Sequence, residues 1–182
     1  TQRMMQENIR LIDIVLELVD ARLPLSSRNP KIDEIVGDKP RLILLNKSDI
    51  ADSSVTGEWE NYFMEKGIPT LTISSTGNKK LNFIFSKCKE ILVDKIEKQK
   101  ERGITNASIK IIVVGVPNVG KSSLINKLSG RKSAITGDRP GVTRGKQWIR
   151  LDNGIELLDT PGILWPKFED DMVGKKLAFT GA

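Results

Sequence analysis

The run Gly115-Val-Pro-Asn-Val-Gly-Lys-Ser-Ser123 carries the strongest chemical signal in the chain. Gly115 and Gly120, followed at once by Lys121 and Ser122, fit the pattern G-x-x-x-x-G-K-[ST]. Glycines there let main-chain N–H groups turn inward around phosphate oxygens, and the N-terminus of a following helix adds partial positive charge. In such a loop Lys121 reaches the β- and γ-phosphates and the Ser122 hydroxyl ligates Mg²⁺. Main-chain groups of Asn118, Val119, Gly120 and Ser123 complete the cradle. The pattern has meaning only between a strand and a helix. Here the apolar run IKIIVV precedes it and KSSLINKL follows.

A phosphate loop does not choose a base. Asn46-Lys47-Ser48-Asp49 follows the apolar run RLILL and fits N-K-x-D, the guanine-specificity motif of translation-factor-related GTPases. Asp49 can accept two hydrogen bonds, from the guanine N1–H and 2-amino groups, a pair that adenine does not offer. The Lys47 stem packs along the base, Ser48 fills the variable position, and Asn46 ties this loop to the phosphate loop. In ISSTG, Ser74 and Ser75 end another apolar run and resemble the S-A-x loop, whose main-chain N–H contacts guanine O6. Ser75 stands where alanine is usual, so only the main-chain role carries over.

Asp159-Thr-Pro-Gly162 follows the apolar run IELL. That is the Walker B position, where the Asp159 carboxylate holds Mg²⁺ through water and the Gly162 N–H contacts the γ-phosphate. Between the two phosphate-binding segments, Thr143 in RPGVTR lies where a switch threonine would ligate Mg²⁺. A surface threonine is the alternative. The expected ligands are GTP or GDP with Mg²⁺.

The elements that must position these residues alternate along the chain as in a mostly parallel α/β sheet. Strands are predicted over 12–19, 41–45, 69–73, 109–114, 147–151 and 155–158. The last two are joined by Asp152-Asn153-Gly154, a hairpin signal that makes them antiparallel neighbours. Helices are predicted over 31–36, 55–66, 82–101 and 121–128, the third with an apolar face of Phe83, Ile84, Cys88, Ile91, Leu92 and Ile96. The expected fold is a P-loop NTPase of the Ras-like G-domain type, with helices on both faces of the sheet.

The order of the motifs is shifted. Ras-like GTPases run phosphate loop, switch threonine, D-x-x-G, N-K-x-D, serine loop; here the last two come first. The cyclic order is kept, so the fold is expected to be circularly permuted over 1–182, with residues 1–104 carrying the base half and 105–182 the phosphate half. Permutation is feasible because domain termini often lie close together at the surface.

With VDARLPLSSRNP, NKSD, ISSTG, GVPNVGKSS, RPGVTRGKQW, LLDTPGIL and LAFTGA in this order, nearly the whole chain resembles the circularly permuted GTPases of the YlqF/RbgA ribosome-biogenesis family. The resemblance implies a GTPase that binds the precursor of the large ribosomal subunit and promotes its late maturation. It also implies a C-terminal RNA-binding helical domain, which this chain is expected to lack as a fragment of something longer. Asp20-Ala21-Arg22 matches a family signature, and an Asp20–Arg22 contact near the strand end is expected; a purely structural role is the alternative.

Ras-type enzymes orient the attacking water with a glutamine just after D-x-x-G. Ile163 and Leu164 occupy that region, so low intrinsic turnover is expected. Asn118 resembles the asparagine of potassium-stimulated GTPases, whose side chain helps hold K⁺ beside the phosphates. A loop-filling asparagine is the alternative. Lys121, Thr143 and Asn118 are the catalytic candidates. The family also implies a histidine in an F-P-G-H-M segment upstream of this chain. A GTP-dependent binding module that barely turns over is the competing function.

Composition agrees and narrows. Hydrophobic residues make up 38% and charged residues 29% of 182, a globular balance. No apolar stretch approaches the roughly 18 residues of a membrane span. A cytoplasmic, reducing compartment and a monomeric G domain are expected. The chain has one cysteine, Cys88, expected to be a buried thiol, and no histidine. Net charge is +6, and between Arg131 and Arg150 six basic residues face one acid, Asp138, which suits an RNA-rich partner.

Overall fold

The computed structural model describes residues 9–76, 81–104, 108–130, 147–151, 154–159 and 171–180. Among them β1 (Ile14–Asp20) is buried at every position, which places it in the middle of the sheet. Parallel β2 (Arg41–Asn46) lies on one side and parallel β4 (Ile109–Val114) on the other. Outward from β2 runs β3 (Thr70–Thr72), also parallel. Outward from β4 runs parallel β6 (Ile155–Asp159), which pairs with antiparallel β5 (Gln147–Leu151). The spatial order is β3-β2-β1-β4-β6-β5. The predicted hairpin is therefore present, with Trp148 opposite Leu158 and Ile149 opposite Leu157.

Alternating side chains of the central strands feed two faces. Ile14, Leu16, Leu18, Leu42, Leu44, Ile111, Val113 and Leu157 share a core with α3 (Phe83–Ile91) and α5 (Lys121–Ser129) through Ile84, Phe85, Cys88, Leu124 and Ile125. On the other face Val15, Ile112, Val114 and Leu158 pack with Ile32, Ile35 and Val36 of α1 (Ile32–Val36). Beside them Val19, Ile43 and Leu45 meet Phe63 of α2 (Ser53–Glu65). Helices thus cover both faces, as parallel strands require. α2 starts at Asp52, whose side chain accepts from the Ser54 and Val55 N–H groups, a cap worth about 1 kcal/mol.

The predicted helix over 82–101 is two helices, α3 and α4 (Val93–Glu101), meeting at Leu92. Leu92 is buried, whereas α4 has no buried residue, so the break falls where the chain leaves the core. The apolar face differs by one residue from expectation. Phe85 is buried and Phe83 is 43% exposed, because Phe83 shares its side of the helix with Lys87 and Glu90 rather than with Ile84 and Cys88. Burial pushes the Cys88 thiol up to about 12, which makes it an inert core group. A ten-residue helix absent from the predicted set, α6, spans Asp171–Thr180. Among the described residues no helix is long and apolar enough to cross a membrane.

Candidate functional site

Four parallel strands deliver the motif residues to one edge of the sheet. Asn46 ends β2, Asp20 ends β1, Gly115 follows β4, and Asp159 ends β6. The carboxyl edge of a parallel sheet is where open α/β folds bind ligands.

Asn46 knots this edge together. It is fully buried, and its Nδ2 donates to the Val119 carbonyl at 2.8 Å and to Ser75 Oγ at 3.0 Å. Its Oδ1 accepts from the Ser75 N–H at 2.9 Å. One amide therefore fastens the base loop, the serine loop and the phosphate loop. Asn46 reaches Val119 although 73 residues separate the two in sequence. The expectation that Asn46 ties the two loops holds.

Two glycines are demanded by this closeness. A Cβ on Gly115 would sit 2.6 Å from the Leu18 carbonyl oxygen. Gly120, at φ 105°, caps α5 without a side-chain cap, and a Cβ there would sit 2.5 Å from Asn46 Nδ2. Lys121 Nζ donates to the Gly115 carbonyl at 3.1 Å, so the lysine lies across its own loop. Val119 is fully buried in the core, while Ser122 and Ser123 are half-buried at the start of α5.

Backbone strain gathers at the predicted positions. Lys47 (φ 62°) and Asn118 (φ 59°) are the non-glycine residues with positive φ among those described. Left-handed asparagine is common, left-handed lysine is not. Lys47 leads into a single 3₁₀ turn, Ser48–Ile50, whose Ser48 N–H donates to the Ile73 carbonyl and whose Asp49 is exposed.

In the serine loop the Ser75 N–H is taken by Asn46 Oδ1 at 2.9 Å, so it is engaged within the protein. Ser74 keeps its place on the loop, its carbonyl accepting from Lys127 Nζ of α5 at 3.0 Å. Asp159 has its backbone beside the end of β4, since Leu158 is in register with Ile112. Thr143 and Gly162 lie outside the described residues, as does most of the basic stretch 131–150.

The expected Asp20–Arg22 contact is present, and sequence reasoning missed the other charged groups beneath the site. Asp20 and Arg22 do meet, at 2.9 Å from Nε to Oδ1 and 2.6 Å from Nη2 to Oδ2. Lys47 Nζ also pairs with Asp20, at 3.1 Å. Burial raises the Asp20 pKa, but hydrogen bonds from the Arg22 side chain and N–H, together with Lys47, outweigh it and hold the carboxyl below its ordinary value. Glu17, 2% exposed within β1, is met by Arg28 Nε at 2.8 Å and Arg41 Nη1 at 3.3 Å, and both arginines also pair with Asp33. This network fastens the loop after β1 to α1 and β2. An acid inside the apolar run IVLELVD was the available signal.

The strand order, the glycine loop after β4 and the Asn46 knot define a P-loop G domain in which the base half precedes the phosphate half. The family described as 50S ribosome-binding GTPase matches residues 110–180. Ribosome biogenesis GTPase A of Bacillus licheniformis is 55% identical over 181 residues, covering 100% of this chain and 64% of that protein. Its Thermotoga maritima counterpart is 35% identical over 177 residues, with 97% and 60% covered. The crystal structure of GNP-bound YlqF from T. maritima matches with a TM-score of 0.70 at 31% identity, covering 100% of this chain and 65% of that one. The GDP-bound YlqF structure matches with a TM-score of 0.68 at 32% identity, covering 98% and 66%. The chain belongs to the circularly permuted ribosome biogenesis GTPase A (YlqF) family. It spans about 64% of the length of that B. licheniformis relative.

Proposed function

We propose that residues 1–182 form one circularly permuted G domain that binds GTP and hydrolyses it as a switch during late assembly of the large ribosomal subunit. The observation that carries this reading is the Asn46 side chain, hydrogen-bonded to both Val119 and Ser75, because one GTP can then span the base and phosphate loops. The T. maritima YlqF structures are GNP-bound and GDP-bound, which supports guanine nucleotides as ligands. The relatives' names support the assembly role.

The residues present fit a nucleotide. Gly115 and Gly120 leave space that a Cβ would fill, and Gly120 leaves the N-terminus of α5 without a side-chain cap. Asp49 takes the guanine N1–H and 2-amino groups, the Lys47 stem packs along the ring, and a main-chain N–H of the serine loop reaches O6. Amides at 118–123 and Lys121 hold the phosphates. Among the described residues no group of three or more carboxylate, cysteine or histidine ligands can hold a metal. Mg²⁺ keeps waters and takes phosphate oxygens with few protein ligands, and here Ser122, Thr143 and, through water, Asp159 would supply them. The Gly162 N–H senses the γ-phosphate. When bound, the ion neutralises charge that develops on the transferring phosphoryl group.

Asn118, exposed and in the left-handed conformation, presents its amide on the rim of the phosphate loop, where it would hold K⁺. Single-turnover hydrolysis should run about tenfold or more faster in K⁺ than in Na⁺, a barrier change of about 1.4 kcal/mol. Asn118→Ala should erase the difference between the salts. Equal rates in both salts for the parent chain would remove K⁺ from the mechanism. Ordering of the switch segments by the γ-phosphate then couples hydrolysis to release from an RNA-rich particle.

The base site has its own test. Asp49→Asn should lose GTP affinity and gain affinity for xanthosine triphosphate, whose 2-oxo group accepts where guanine donates. If that variant binds GTP as the parent does, the guanine assignment is wrong.

A further inference from the structure

We propose that Asp20 is a positioning residue for base recognition: it holds the Lys47 ammonium and so fixes the turn that presents Asp49, an inference that rests on reading Asn46–Asp49 as the guanine site. Asp20 is fully buried at the end of β1, in register with Asn46 at the end of β2. The Ala21 N–H donates to the Asn46 carbonyl at 2.8 Å, so the two strand ends leave the sheet side by side. Lys47 then turns into a left-handed conformation that a long side chain rarely adopts, with no side-chain cap on the turn it begins. Such a residue persists where its surroundings hold it, and such strain gathers at functional sites.

The holding group is the Asp20 carboxylate, 3.1 Å from Lys47 Nζ. Asp20 is itself immobilised. Its Oδ1 accepts from the Arg22 N–H at 3.0 Å and from Arg22 Nε at 2.9 Å, its Oδ2 from Arg22 Nη2 at 2.6 Å, and its own N–H donates to Ser27 Oγ at 2.8 Å. Arg22 already neutralises the carboxylate, so the pair with Lys47 is a surplus as far as folding is concerned. Lys47 is 23% exposed in its side chain, whereas Asp20 is fully buried. A lysine fixed at its tip has its aliphatic stem laid down before a base arrives. Binding then escapes the entropic penalty of ordering that side chain. If Asp20 served only to shape the loop after β1 through Arg22 and Ser27, Lys47 variants would be indifferent to it.

Binding of a fluorescent GDP to the whole chain tests this. Lys47→Met keeps the stem but loses the anchor, and Asp20→Asn removes the anchor from the other side. Each should weaken GDP about tenfold, and the double variant should also stay near tenfold, because both changes break one interaction. Lys47→Arg, which can re-form the pair, should recover binding to within about threefold of the parent. The Lys47→Met chain should unfold at the same temperature as the parent. Parent-like GDP binding by Lys47→Met, a double-variant loss near a hundredfold, or no recovery with Lys47→Arg would each overturn the proposal. The Lys47 pair of variants decides the matter even if Asp20→Asn fails to fold. Loss of GDP binding by Asp49→Asn, with Lys47→Met unaffected, would sink this inference alone. Full GDP binding by Asp49→Asn would sink the base-site reading beneath it.

Discussion

Gly120→Ala should weaken guanine-nucleotide binding by more than about a hundredfold, a loss of roughly 2.7 kcal/mol or more. Two effects combine. Gly120 sits at φ 105°, where any Cβ costs on the order of 1–2 kcal/mol. The added methyl would lie 2.5 Å from Asn46 Nδ2 and 3.1 Å from Ser75 Oγ. Neither neighbour is the free end of a long side chain, since Asn46 is fully buried and bonded to Val119 and Ser75. Relief must come from breaking that knot or from moving the loop at the start of α5. Both disturb the amides that would face the phosphates. Gly130→Ala is the matching control: it also has positive φ, at 62°, but nothing lies within 4 Å of its Cβ position. That change should leave nucleotide binding within about threefold of the parent and cost only helix-end stability. Isothermal titration of GDP with the two variants checks the pair. Equal affinities for Gly120→Ala and parent would mean that the loop does not need its present shape.

Asn46→Asp should be at least as severe, and in stability as well as binding. The substitution keeps the size and replaces the Nδ2 donor with an oxygen facing the Val119 carbonyl, now 2.8 Å away. It also puts a carboxylate where no surface is exposed. A buried charge left without a partner costs about 3–5 kcal/mol, so the variant should unfold well below the parent or hold the site open. Ser75→Ala separates the contributions. It removes one acceptor of Asn46 Nδ2 but leaves Val119 and the Ser75 N–H in place, and should cost about 1 kcal/mol. Thermal unfolding with and without GDP measures both. An Asn46→Asp chain that melts and binds like Ser75→Ala would show that the knot is not what joins the two halves.

The motifs were legible because phosphate and base recognition each demand particular residue types at short, fixed spacing. Gly115, Gly120, Lys121, Asn46 and Asp49 could be assigned from a few neighbours and the apolar runs before them. The elements were legible for the same local reason: apart from Lys110 and Arg41, IKIIVV and RLILL are apolar because helices cover both faces of their sheet. Errors came where a side chain's partner is distant in sequence. Ser75 gives its N–H to Asn46, 29 residues away, a partner that the serine-loop pattern does not reveal. Glu17 inside β1 is tolerable because Arg28 and Arg41 converge on it from a loop and a neighbouring strand. Spacing placed Phe83 on the apolar face of α3, whereas packing set the phase of the helix so that Phe85 is buried and Phe83 exposed.

From the amino-acid sequence alone came the class of fold, the cyclic shift of its motifs and the residues able to meet a guanine nucleotide, since these rest on local pattern and on chemistry within a few residues. Only the tertiary structure decided how the halves are joined: that Asn46 clasps Val119, that Asp20 reaches Lys47, and that Gly120 has no room for a methyl. Those facts depend on which strand lies beside which. β1 separates β2 from β4 and brings their ends together, an arrangement of long-range neighbours that no short window of residues encodes.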